Sequence, residues 1–331
     1  MSPVKVLSLP KERRELTITS IYGSIQPQIV QVKQRLKKMT EAAPLEMSDQ
    51  LDHVLEGGKI VRSALTLLAG KFYNYNLELL VPMASAIELL HTATLVHDDT
   101  VDKAEFRRSK PTLNHLWGNH YAVLIGDYLF AASAQMTAET ENIRVMKLFA
   151  RTLMDICSGE LDESLSPFDQ SRERYFRRID KKTACLFSAA AESGAVLSEA
   201  PEETVQRLRE YGYNIGMSFQ IVDDILDFTS QGETLGKPVS NDLSQGIFTL
   251  PTILLLERPE VDSIKGVFEE DKDRGKKLLM EMVYKSDVLN ECYDVVKDFC
   301  SKAKLAIEPL PRNDTYDSLI SLADYIITRE R

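Results

Sequence analysis

The chain has 331 residues, 44% of them hydrophobic and 27% charged, which is enough to bury one large core or two ordinary ones. Its formal net charge of −10 argues against a nucleic-acid-binding surface, while an acidic balance suits a protein that gathers metal cations. The four cysteines show no Cys-x-x-Cys spacing and Met1–Pro10 is too poor in apolar residues for a secretory signal. Reduced thiols and a cytoplasmic location are therefore expected. No run reaches the roughly 18 consecutive apolar residues of a membrane span.

In chain order, residues 1–14 lack periodicity and predict a loose arm. Apolar positions at helical spacing predict a helix from Leu16 to Met39, a short one from Asp49 to Leu55 stopped by Gly57-Gly58, and another from Lys59 to Leu68. Leu77 to Asp102 predicts a long helix with Pro82 near its first turn. A loop over Lys103–Lys110 and a turn at Pro111-Thr112 follow, then an Ala-rich run, Tyr121–Thr137, that predicts a buried helix. Further helices are expected near 140–163, 171–197 and 202–230, before a loop at Gly232–Gly246. Thr249-Leu250-Pro251 opens another, and amphipathic helices fill the rest. Alternating Val/Ile/Thr runs are missing, so no sheet is expected. With no linker, residues 15–331 predict a single all-α domain, a bundle of about ten or more helices around a central cavity.

Two stretches break the usual separation of charge from core. Met83–Val96 is strongly apolar and runs into Asp98-Asp99-Thr100-Val101-Asp102. Phe219–Leu226 repeats the pattern with Asp223, Asp224 and Asp227. Desolvating carboxylates is costly unless something compensates. On a helix, residues i and i+4 share a face, so Asp98 points with Asp102 and Asp223 with Asp227. The stripes extend upstream through Glu88, His91 and Leu95, and through Gly216 and Gln220. Hard oxygen donors with room for water and phosphate are what Mg²⁺ uses. A single pair of this kind is more often a solvated helix end, but its duplication on apolar helices favours metal binding.

A metal-bound polyanion would need cations around it. Lys59 and Arg62 stand one turn apart after Gly57-Gly58; Arg107-Arg108 follow the first aspartates; Lys181-Lys182-Thr183 lies inside an apolar helix; Lys237 sits in a Gly-Lys-Pro loop. Each alone reads as a surface charge. Together they outline a diphosphate site.

These motifs, in order from Glu56 to Leu256, resemble those of the all-trans polyprenyl diphosphate synthases. The resemblance implies a homodimer that uses three Mg²⁺ per active site, or Mn²⁺ as a substitute, with isopentenyl and allylic diphosphates as substrates. It implies Asp98, Asp102 and Asp223 as the foremost metal ligands, with Asp99, Asp224 and Asp227 beside them. Lys59, Arg62, His91 and Arg108 would hold isopentenyl diphosphate. Arg107, Lys182, Thr183, Gln220 and Lys237 would hold the allylic diphosphate, with Lys182, Thr183 and Gln220 steadying its carbocation. Ile60 and Ser63 replace an Arg and a Pro common in the family, and Gly246–Thr249 lacks a lysine often found there.

In the family, bulky residues just before the first aspartate block the product tunnel. Here Ala93 and Thr94 are small, and Thr94 lies roughly 40° round the helix from Asp98. With Phe130 and Ala134 on the next helix they are expected to line a deep tunnel, giving a long-chain product that would partition into membrane. Geranylgeranyl diphosphate synthase is the nearest alternative. A terpene cyclase would carry a different second motif, a phosphohydrolase a His-rich shell, and a non-catalytic subunit would have lost carboxylates that this chain keeps.

Overall fold

The computed structural model describes residues 18–107, 110–229, 240–261, 267 and 270–329. The expected arm, 1–14, and residues 232–239 of the expected loop lie outside them, and a short helix at Asn241–Gln245 occupies most of the rest of that loop. Helix α1 (Ile18–Ile21) is separated from α2 (Gln26–Ala42) by a 3-10 turn at Gly23–Ile25. Periodicity alone had joined them; Pro27 in the first turn of α2 lacks the N–H that would continue the ladder. Helix α3 (Leu45–Leu55) ends at Gly57 and Gly58, whose φ values are 95° and 85°. Ile60 is also left-handed, at φ 51°, so α4 (Val61–Gly70) begins two residues later than Lys59. A β-branched residue rarely adopts that conformation; here its side chain is buried and holds it.

Helix α5 (Leu77–Val101) starts where Asn76 accepts a hydrogen bond from the Glu78 N–H at 3.0 Å. It is long and apolar enough to cross a membrane, although Glu78, Glu88, His91 and His97 interrupt its apolar run. Its most apolar stretch is 67% buried inside the fold, as expected of a core helix. After it, β1 (Phe106–Arg107) pairs antiparallel with β2 (Lys110–Pro111), Phe106 opposite Pro111. This corrects the expectation of no sheet: two-residue strands are too short to leave an alternating pattern.

Next come α6 (Leu113–Trp117), α7 (Asn119–Ala138), α8 (Ile143–Leu165) and α9 (Arg172–Ile179), the last continuing through a π-helical turn, Asp180–Ala184, into α10 (Cys185–Leu197). Helix α11 (Glu202–Thr229) carries the second aspartate motif. The short α12 (Asn241–Gln245) and α13 (Leu250–Leu256) precede α14 (Lys272–Lys285), α15 (Val288–Ile307) and α16 (Asp314–Thr328). All four cysteines are free.

The core is built around two long helices. Helix α5 packs along α7 and against α4, while α11 lies between α10 and α15. His97 turns toward α7, its Nε2 3.2 Å from the Val123 carbonyl and its ring edge-on to Phe130 at 5.1 Å. Helix α7 is not the fully buried helix its composition suggested. Tyr121, Val123 and Leu124 are 51%, 42% and 49% exposed, because only one face meets α5.

Helices α10 and α11 meet backbone to backbone. A Cβ on Gly216 would lie 2.5 Å from Ala184 Cα, and one on Gly212 would lie 2.5 Å from the Phe187 carbonyl oxygen. Overpacking a contact with no yielding side chain costs roughly 1–3 kcal/mol. Gly216→Ala is therefore expected to lower the unfolding free energy by that amount, read as a lower urea midpoint with an unchanged m-value. An unaltered midpoint would mean that the two helices part freely.

Candidate active site

Helix α5 is nearly all core, and its half-exposed positions are informative. Glu88, His91, Leu95 and Asp98 are half-buried and Asp102 is exposed, while Leu89, Leu90, Ala93 and Val96 are buried. The 3,4,3,4 spacing read from the sequence thus marks a stripe of the helix that opens outward, with Thr94, His97 and Thr100 also half-buried beside it. At its end the aspartates divide. Asp99 is buried and accepts a 2.7 Å hydrogen bond from Arg107 Nε on β1. The carboxylates of Asp98 and Asp102 make no hydrogen bond or ion pair with another described residue.

The second motif divides differently. Phe219, Gln220 and Asp223 are half-exposed, whereas Asp224 and Asp227 are buried. Asp224 uses both oxygens: Oδ2 accepts from the Tyr175 hydroxyl at 2.6 Å and Oδ1 from Gln220 Nε2 at 2.8 Å. Gln220 in turn accepts from the Thr183 hydroxyl at 2.6 Å. Asp227 Oδ2 accepts from the Ser240 hydroxyl at 2.6 Å and from the Asp242 N–H at 3.2 Å, which ties α11 to the start of α12. Asp223 alone of the three faces outward, and it is ion-paired with Arg329.

Lys182 joins the two halves. Its ammonium lies 2.7 Å from Glu160 and 2.6 Å from Glu163, one helical turn apart on α8. It also lines a small cavity of about 70 Å³ with Thr183, Gln220 and Asp224. Burial opposes its charge, but Glu163, Glu160 and Asp98 outweigh burial and raise its pKa. The π-helical turn aims Lys182 and Thr183 at this point; such one-residue insertions recur at functional sites. Gly159 on α8 admits the turn, since a Cβ there would lie 2.9 Å from the Lys182 backbone nitrogen. Arg178, buried beside it, pairs with Glu163 at 3.2 Å and donates to the Phe248 carbonyl at 2.9 Å.

Sequence reasoning missed Glu160, Glu163, Arg178 and Tyr175. Glu160-x-x-Glu163 after a glycine was a visible signal, because a lysine inside an apolar helix needs a buried counter-charge.

The cations at the other end of the stripe gather on aromatic rings. Arg62 is buried, 4.3 Å above Phe187 and 5.5 Å from Phe219. Lys59 is exposed and donates to the Tyr325 hydroxyl at 3.2 Å. Arg108 and Lys237 lie outside the described residues. Of the expected tunnel residues, Thr94 and Phe130 are half-buried, Ala93 is wholly buried in the core, and Ala134 lies on the exposed face of α7. A larger cleft, about 950 Å³, runs between α8 and α11 across α10. It includes none of the expected site residues, whereas the smaller cavity includes Lys182, Thr183, Gln220 and Asp224.

Among the described residues, no three His, Cys, Asp or Glu side chains converge closely enough to hold an ion unaided. The donor set nonetheless fits a divalent cation that arrives with phosphate. It offers one or two hard oxygens per helix, leaving the other positions to water and substrate. Burial leaves these carboxyls short of counter-charge. It pushes Asp98 up to about 7 against the pull of Lys182, and Asp224 up to about 7 against its hydrogen bonds from Tyr175 and Gln220. Asp99 and Asp102 are also raised by burial, and so is Asp242, with Asp227 adding repulsion.

A half-buried lysine held by paired carboxylates lies between two aspartate-bearing helices, and the all-α fold around it is of the isoprenoid-synthase type. The chain matches the polyprenyl synthetase family over residues 45–285 and belongs to it. It is a prenyltransferase that elongates polyprenyl diphosphate chains. Heptaprenyl diphosphate synthase component 2 of Geobacillus stearothermophilus is 36% identical over 319 residues, covering 95% of this chain and 100% of the relative. The crystal structure of heptaprenyl diphosphate synthase from Staphylococcus aureus is similar with a TM-score of 0.86 at 35% identity, covering 92% of this chain and 98% of that one. Polyprenyl synthase from Caulobacter crescentus, solved with calcium and isoprenyl diphosphate, has a TM-score of 0.86 at 30% identity, covering 96% and 99%.

The raised carboxyls set a pH dependence. Folded protein with Asp98 and Asp224 near 7 binds more protons than the unfolded chain, so their contribution is intact below about pH 4 and is lost as pH rises through about 7. The thermal midpoint of the metal-free protein is expected to fall across that window, and Asp98→Asn to flatten the fall. An equally steep fall in the variant would remove Asp98 as its source.

Proposed function

We propose that the protein is a Mg²⁺-dependent, long-chain all-trans polyprenyl diphosphate synthase acting in the cytoplasm as a homodimer. The observation that carries this reading is that Asp98 and Asp102 lie within the field of Lys182 yet make no hydrogen bond or ion pair with a described residue, while Asp223 on the second motif faces outward. Calcium in the Caulobacter crescentus relative supports a divalent metal at this site.

Asp98, Asp102 and Asp223 would hold the metal ions, three per site, with Mn²⁺ as a substitute. Mg²⁺, when bound, neutralises the departing diphosphate. Lys182, Arg107 and Lys237 would bind and orient the allylic diphosphate, so that the electron pair of its breaking C–O bond stays on the diphosphate. Thr183 and Gln220, locked together by their 2.6 Å hydrogen bond, would present fixed dipoles to the allylic cation. Lys59, Arg62, His91 and Arg108 would hold isopentenyl diphosphate with its alkene toward that cation. The π electrons form the new carbon–carbon bond, and the proton lost from the adjacent carbon passes to the diphosphate. The apolar faces of α5 and α11 exclude water that would trap the cation.

Product length follows from what stands behind Asp98. Thr94 occupies the half-exposed side of α5, one turn before it, and its methyl and hydroxyl leave room for a growing chain. Thr94→Phe is expected to shorten the products formed from farnesyl diphosphate, isopentenyl diphosphate and Mg²⁺, sized by chromatography. Unchanged lengths would remove Thr94 from the tunnel, and no elongation by the wild type with any allylic primer would end the catalytic reading. The structure favours Thr94 over Ala93 for this test, because a phenyl ring at Ala93 would disrupt the core.

Exposed apolar side chains support the dimer. Leu124 on α7 and Met146, Met154, Leu161 and Leu165 on α8 lie on the outer surface. Exposed apolar side chains of this kind support an interface there. Met154→Glu is expected to convert the dimer to monomer in light scattering; an unchanged mass would place the interface elsewhere. The name of the Geobacillus stearothermophilus relative, component 2, supports a second reading in which another polypeptide joins the catalytic chain. Elongation by the purified chain alone would exclude it.

A further inference from the structure

Arginine is almost never buried unless it is engaged, and Arg329 is 7% exposed. It follows the last turn of α16, whose position is held by a 2.6 Å hydrogen bond from the Tyr211 hydroxyl to the Leu319 carbonyl and by the Lys304–Asp324 ion pair at 2.7 Å. From there its guanidinium stacks 3.9 Å above Phe219 and pairs with Asp223. Phe219 and Asp223 are four residues apart and share one face of α11, so Arg329 spans both. One turn earlier on α16, Tyr325 meets Lys59.

The geometry points to Arg329 as a placeholder cation, an inference that rests on the proposed metal role of Asp223. In the metal-free protein the guanidinium occupies the one carboxylate of the second motif that faces outward, meeting its charge and shielding it from Asp224. A divalent ion needs the same oxygens and must displace the guanidinium. Asp223 keeps 43% of its side chain exposed, so an ion can approach while Arg329 is still in place. Loading of the second aspartate motif is thereby coupled to release of the Arg329 guanidinium. Arg329 is a positioning residue: it holds Asp223 poised and gives way.

Two measurements test this without reference to turnover. Mn²⁺ binding to the full chain, with inorganic pyrophosphate present, is followed by the loss of the free-ion paramagnetic resonance signal. Arg329→Gln is expected to tighten binding by about three- to tenfold, the scale of removing one competing cation from a partly exposed carboxylate, and Arg329→Lys to stay near wild type. In the unaltered protein, trypsin must draw the Arg329 side chain into its pocket to cut after it. That cut is expected to be slow in the metal-free protein and to accelerate at least about threefold with Mn²⁺ and pyrophosphate. Affinity unchanged in Arg329→Gln, with Arg329 protected whether or not metal is present, would make Arg329 a plain anchor and overturn the inference. No Mn²⁺ binding by any of the proteins would overturn the metal reading itself, and this inference with it.

Discussion

Everything in the site depends on keeping like charges together against an apolar core. Asp98, Asp102, Glu160 and Glu163 converge on one ammonium, Lys182, whose own burial would favour its neutral form were those carboxylates not there. Breaking such a lattice by removing one member leaves an uncompensated buried charge, which is far costlier than never building it. Placing the ammonium is therefore a geometric requirement. It is met by the π-helical turn at Asp180–Ala184, by the glycine on α8 that lets the turn approach, and by the glycines on α11 that let it lie flat against α10.

Because that lattice still lacks positive charge, the two aspartate motifs are not equivalent. On α5 two carboxylates make no hydrogen bond or ion pair with a described residue, and the third holds Arg107. On α11 it builds two into the fold, through Tyr175, Gln220 and Ser240, and turns one outward. Asp224 and Asp227 thus fix the shape of the second half of the site, and Asp223 meets whatever cation is present. In the proposed mechanism a diphosphate carried by divalent ions would supply what both halves lack. It would do so at a surface that is dry on one side, where the electrostatic gain is largest.

Helical periodicity made the long elements legible because each has one face that must be buried. The stripe from Glu88 to Asp102 was legible for the same reason in reverse, as polar residues at helical spacing on an otherwise apolar helix. The break between α1 and α2, the two-residue hairpin and the exposed face of α7 were not. A single proline, a strand shorter than one period and the absence of a neighbouring helix leave little or nothing in local composition.

By itself, the amino-acid sequence determined the helical class, the two aspartate motifs and the set of cations proposed to hold diphosphates. These depend on spacing within one helix, which the covalent chain dictates. The tertiary structure decided which aspartates face outward, that Glu160 and Glu163 hold Lys182, and that Arg329 comes to Asp223 from 106 residues away. Those facts depend on how close two helices may approach and on which buried charge finds a partner. Both are settled only when the whole core is packed.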